Sequence, residues 1–136
     1  MQKTTTFLMF VGNQCGKAAE AIQFYTSLFT DSEVKHIECF KSGEPGGREG
    51  DIKHALFTLA GQEYMISENP MDHKFSFTPA MSIYVNCDSD AEIDALFQQL
   101  SEGGAALMPL GDYGFSKKFG WLTDKYGVSW QLNFNV

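Results

Sequence analysis

A chain of 136 residues suits one domain or two small modules sharing a core, and 43% hydrophobic content is ample for a globular interior, which argues against disorder. Ten Lys and Arg against 17 Asp and Glu leave a net charge of −7 with no basic stripe, so nucleic acid is not an expected partner. The longest apolar run near the start, Phe7 to Val11, is too short for a signal-peptide core or a membrane span, which implies a cytoplasmic protein with no membrane partner.

In chain order, Thr6 to Val11 (TFLMFV) is β-prone, and the turn-like GNQCG leads from it into a helix. Ala18, Ala21, Ile22, Tyr25, Leu28 and Phe29 recur at helical spacing, with Lys17, Glu20, Gln23 and Thr26 on the other face. Ser32 to Lys41 and Asp51 to Ala60 then read as a hairpin around the loop SGEPGGREG, which lacks the Lys-Ser/Thr pair of a phosphate loop. Gly61 turns the chain into a third strand, QEYMISE.

After the polar stretch NPMDHKFSFT the pattern restarts with a strand from Ala80 to Asn86. Ser89-Asp-Ala-Glu92 is a capping box for a helix whose apolar face is Ile93, Leu96, Phe97 and Leu100, and Gly103-Gly104 stops it. Strands near Ala105 to Leu110, Lys118 to Asp124 and Val128 to Phe134 follow, the last two joined by a tight turn at DKYG. The order is β-α-β-β-β twice, with modules of about residues 1–77 and 78–136. Each helix serves several consecutive strands, which excludes a doubly wound sheet. The expected class is α+β, with two curved mixed sheets forming a cup.

The segments FGWLTDKYGVSWQLNF (Phe119 to Phe134) and AAEAIQFYTSLF (Ala18 to Phe29) resemble the last hairpin and first helix of the PhnB-like branch of the vicinal oxygen chelate superfamily, the glyoxalase and bleomycin-resistance fold. The resemblance covers nearly the whole chain and implies a homodimer. Metal-dependent members hold a divalent ion with one side chain each from strands one, four, five and eight, which match Thr6, Ser67, Met81 and Gln131 here. None is a His or a carboxylate, so metal binding in that mode is disfavoured and no cofactor is expected. A one-residue slip to Glu68 would turn that carboxylate to the opposite face of the sheet. Some PhnB-like sequences are labelled demethylubiquinone methyltransferases, but a nucleotide-type cofactor usually sits at a glycine-rich turn between a parallel strand and a helix, and the pattern offers no such unit.

Several residues are candidate ligand contacts on other grounds. In the last strand Ser129, Gln131 and Asn133 alternate with Val128, Trp130, Leu132 and Phe134, so the polar set faces a ligand if the apolar set covers a helix. Phe119 and Trp121 share one face of the seventh strand. His36 and His54 flank the hairpin loop and would face one another in a regular pairing, with Glu38 on the His36 side. They read as a metal or acid/base group, or as ordinary sheet residues. His73, beside Lys74, reads as solvent-exposed. Cys15, Cys39 and Cys87 form no C-x-x-C and read as reduced, buried thiols.

The leading expectation is a metal-free cup that binds a small, partly apolar organic molecule through Thr6, Ser67, Met81, Trp121, Ser129, Gln131, His54 and Glu38. One rival is a metal-dependent lyase, isomerase or dioxygenase of the glyoxalase type, built on His36, Glu38 and His54. Another is a dimeric structural partner with no ligand.

Overall fold

A computed structural model describes residues 2–136, and contacts divide the chain into two compact units, the first ending at Ser76 and the second running Phe77–Val136. In the first unit β1 (Thr6–Val11) leads through a 3-10 turn at Gly12–Gln14 into α1 (Ala18–Leu28), followed by β2 (Glu33–Cys39), β3 (Ile52–Leu59) and β4 (Gln62–Asn69). The second unit repeats the order with β5 (Ser82–Asn86), α2 (Asp90–Ser101), β6 (Ala105–Gly111), β7 (Lys118–Thr123) and β8 (Ser129–Phe134). Each forms a four-stranded mixed sheet, β1-β4-β3-β2 in one and β5-β8-β7-β6 in the other. The first and last strands of each unit are parallel, and the other pairs are antiparallel. The class is therefore α+β with two β-α-β-β-β modules.

In the first unit the register sets Leu8 opposite Ile66 and Ile66 opposite Ala55, so these side chains share the face on which α1 packs. Ala21, Ile22 and Tyr25 of α1 are buried there with Phe10, Phe57 and Ile66, and each large apolar group contributes about 1.5–3 kcal/mol. The N-terminus of α1 has no local side-chain cap, because Lys17 occupies that position. Instead Glu68, buried on β4, accepts the backbone N–H groups of Gly16 and of Ala18 (3.1 Å) with one oxygen and that of Ile52 (2.7 Å) with the other. A negative group is favoured at this end of the helix, where unpaired N–H groups converge.

In the second unit Ile93, Leu96 and Leu100 of α2 are buried with Leu122, Trp130 and Leu132. A β-carbon on Gly120 would come within 2.6 Å of the Phe97 ring, so the helix approaches the sheet where a side chain is missing. The capping box forms, with Ser89 Oγ accepting from the Glu92 N–H at 3.0 Å, while Glu92 reaches one residue further back to the Asp88 N–H. At the β7–β8 turn the buried Asp124 accepts the N–H groups of Tyr126 (2.9 Å) and Val128 (3.0 Å) and the indole N–H of Trp130 (2.9 Å). Gly127 takes the positive φ of 92° that this turn needs.

Some expectations need correction. The strand expected from Ala80 begins at Ser82, because the Met81 N–H bonds to the Thr78 carbonyl in a turn. The second strand bulges between Val34 and His36 and again between Glu38 and Cys39, which explains its imperfect alternation. Among the cysteines only Cys87 is buried, Cys15 is partly covered and Cys39 lies exposed on the edge strand β2. His73 is half-buried against Phe75, with ring centroids 4.7 Å apart, rather than solvent-exposed.

Candidate functional site

The face of the second sheet turned away from α2 is set by the register. Ser82, Tyr84 and Asn86 of β5 stand opposite Ser129, Gln131 and Asn133 of β8, which in turn stand opposite Thr123, Trp121 and Phe119 of β7. Ile83, Val85, Leu122, Trp130 and Leu132 therefore point the other way, toward α2. The nine residues turned away from α2 form a surface with no charged side chain. Lys118, at the end of β7, points instead to Asp90 (3.2 Å) and Asp94 (2.6 Å) of α2.

Hydrogen bonds hold the polar members in place. The indole Nε1–H of Trp121 donates to Ser129 Oγ at 2.9 Å, Ser129 Oγ lies 2.6 Å from Ser82 Oγ, and the Gln131 amide donates to Ser82 Oγ at 3.3 Å. Ser129 is buried, whereas Gln131 and Trp121 are half-buried. The network thus leaves the Gln131 carbonyl oxygen and the Trp121 ring as the groups offered outward. Next to it Tyr84, Tyr113 and Phe115 surround Phe119, with Phe115–Phe119 centroids 4.9 Å apart and edge-to-face. Phe119 is buried under these rings, but Tyr84 is 51% and Phe115 63% exposed, so an apolar aromatic surface borders the polar network.

In the first unit the face away from α1 carries His36 and Glu38 of β2, His54 and Leu56 of β3, Met65 and Ser67 of β4, and Phe7 and Met9 of β1. Glu38 stands opposite His54, and the His36 and His54 rings are 5.8 Å apart between centroids. The side chains of His36 and Glu38 are both more than half exposed.

A third cluster lies beside α1, where Cys15, Asp51 and Glu68 have ligand atoms within 4.8 Å of one another. Arg48 stands where a cation would, donating to Asp51 at 3.0 Å and to the Cys15 sulfur at 3.1 Å, while the Glu68 oxygens already accept backbone N–H groups. Burial, then the Asp51 charge, holds the Cys15 thiol above its ordinary pKa, with Glu68 adding to this and Arg48 opposing it. A neutral thiol is a poor nucleophile and a poor metal ligand. Burial, followed by Glu92 and Asp88, pushes the Cys87 thiol up to about 12.

The residues expected from sequence are thus brought together in part. Trp121, Ser129 and Gln131 share one face and one hydrogen-bond network. His54, Glu38 and Ser67 share the free face of the other sheet. Thr6 does not join Ser67: it pairs with Tyr64 and points with Leu8 and Phe10 toward the α1 side, because a strand repeats every two residues and the count back from Val11 ended on the wrong parity. Met81 does not join Gln131, since it lies outside β5 and is 75% exposed. The corresponding positions on the free faces of the sheets are Phe7 or Met9 on β1 and Ser82 or Tyr84 on β5, equally without charge. Ser82 and Tyr84 were legible as the alternation partners of Ile83; Tyr113 and Phe115, in the loop before β7, had no periodicity to mark them.

Two modules with this strand order, each with one helix on one face of a four-stranded mixed sheet, give the α+β glyoxalase-like fold. The family model for 3-demethylubiquinone-9 3-methyltransferase matches residues 2–133, and the chain belongs to this PhnB-like family. Its fold is similar to that of the PhnB protein from Bacillus cereus (57% identity over 98% of this chain and 100% of that one, TM-score 0.91). Protein PA1353 from Pseudomonas aeruginosa is also similar (31% identity, 99% and 98% covered, TM-score 0.82). The fosfomycin resistance protein FosX from Listeria monocytogenes shares the fold at 14% identity (100% and 95% covered, TM-score 0.63). No curated protein matches the chain.

Proposed function

We propose that this chain binds a small, uncharged, partly aromatic organic molecule on the face of the second sheet away from α2, and acts by binding or sequestration. The observation that carries the reading is the pinned network of Trp121, Ser129, Ser82 and Gln131 bordering the exposed rings of Tyr84 and Phe115. A few fixed hydrogen-bonding groups beside apolar surface suit orientation of a neutral ligand, and the lack of charged side chains on this face of β5, β7 and β8 disfavours an ionic one.

The divalent ion that the superfamily implies does not fit the residues present. Phe7 or Met9, Ser67, Ser82 or Tyr84, and Gln131 supply no imidazole and no carboxylate, whereas such a site needs several hard or borderline donors converging. Methyl transfer, which the family's description names, is disfavoured by the geometry, because the strand-to-helix turn before α1, where a nucleotide-type cofactor would bind, has its N–H groups taken by Glu68. Free cysteines and the lack of any helix long and apolar enough to cross a membrane, among the described residues, support a place in the reducing cytoplasm.

A melting-temperature screen of chelator-treated protein against neutral aromatic metabolites and antibiotics tests the proposal, since a ligand that binds only the native state raises the midpoint. A hit that raises the midpoint, is recovered chemically unchanged and loses its effect in Gln131→Ala supports it. A hit whose effect survives both Gln131→Ala and Tyr84→Ala, or one recovered as a different compound, overturns it.

A further inference from the structure

We infer that His36, His54 and Glu38 form a site for a borderline divalent cation such as zinc or nickel on the free face of the first sheet. This site lies on β2 and β3, away from the strand positions used by metal-dependent relatives, and does not depend on the ligand proposed for the second unit. The bulge before His36 and the direct pairing of Glu38 with His54 bring all three side chains to one side of the β2–β3 ribbon. The imidazole rings lie 5.8 Å apart between centroids, tilted by 49°, and His36 Nε2 is 3.9 Å from Glu38 Oε1.

Zinc binds imidazole nitrogen and carboxylate oxygen at roughly 2.0–2.2 Å, so two donors on one tetrahedral ion stand about 3.3 Å apart. The His36–Glu38 gap must close by about half an ångström, a small rotation for side chains that are more than half exposed, and a larger rotation of the ring must bring His54 in, since the three donors do not yet lie within 4.8 Å of one another. Two imidazoles and one carboxylate leave a fourth position for water, and this nitrogen-rich set favours zinc or nickel over calcium or magnesium. Glu38 also forms a long ion pair with Lys53. Its second oxygen lies 3.8 Å from Lys53, whose closer partner is Glu44, so the lysine opposes the cation without occupying the carboxylate.

The chain has only three histidines, which gives the test an internal reference in His73. Zinc is titrated into the chelator-treated full chain while the histidine ring resonances are followed. The expected result is that the rings of His36 and His54 shift together to one equivalent while those of His73 do not. His36→Gln and His54→Gln should each weaken binding at least tenfold and Glu38→Gln several-fold, while Lys53→Met tightens it. His36, Glu38 and Lys53 are exposed and His54 is half-buried, and unchanged melting temperatures of the metal-free variants will show that folding is intact. The inference is overturned if neither ring responds at stoichiometric zinc, or if zinc binding survives His36→Gln together with His54→Gln. It is also overturned if Cys39→Ser, rather than the histidine changes, removes the ion.

Discussion

Glu68 shows how one residue settles two questions at once. A carboxylate one step from the strand-four ligand position looks like a displaced metal donor, but the pleat turns it to the Phe10 and Ile66 side, where it serves three backbone N–H groups. Replacing it by Ala leaves those donors without their charged acceptor, and the expected loss is about 2–4 kcal/mol in urea unfolding, with less lost in Glu68→Gln. Cys87 makes a second prediction at this scale. Its folded-state pKa of about 12 lies above the ordinary 9.0, so the thiol favours folding below pH 9, and that contribution is lost as pH rises from 9 toward 12. Stability of Cys87→Ala should therefore fall less steeply over that range than the parent's. In alkylation of the folded chain Cys39, which is exposed, should react well before Cys87.

For the elements, hydrophobic period carried most of the information. Both helices, the eight strands and the capping box at Ser89 were legible because apolar residues recur at 3.6 or 2 and turn residues separate them. Strand parity at β1 was not, since Phe7, Leu8, Met9, Phe10 and Val11 are all apolar and such a run carries no alternation from which to read a face. Only pairing with β4 decides that Leu8 and Phe10 face α1. Likewise the tertiary cap on α1 has no local signature, because donor and acceptor are 50 residues apart. The glycine in β7 was also silent, although it sets how closely α2 packs. Gly120→Val should cost about 1–3 kcal/mol by driving a branched side chain into Phe97, measurable as a lowered denaturation midpoint with secondary structure retained.

At the scale of the molecule, two copies of one module carry different surfaces. The free face of the first sheet holds ionisable side chains, whereas that of the second is neutral and aromatic, so the two proposed sites differ in chemistry. Self-association is a further proposal from the family resemblance. Val34 and Ile37 on the edge strand β2 are 45% and 44% exposed, and covering them would remove apolar surface from water and protect the strand edge. Light scattering at micromolar concentration should give twice the 15.2 kDa chain mass, and a monomer would contradict the dimer.

The central claim is that uncharged side chains on the second sheet, with no metal ion, hold the ligand. It is tested most directly by measuring the dissociation constant of a screened ligand with and without excess chelator, for the parent and for Trp121→Ala. The same constant is expected in both buffers, with at least tenfold weaker binding in the variant. Binding that vanishes with chelator, or that ignores the loss of Trp121, would contradict it.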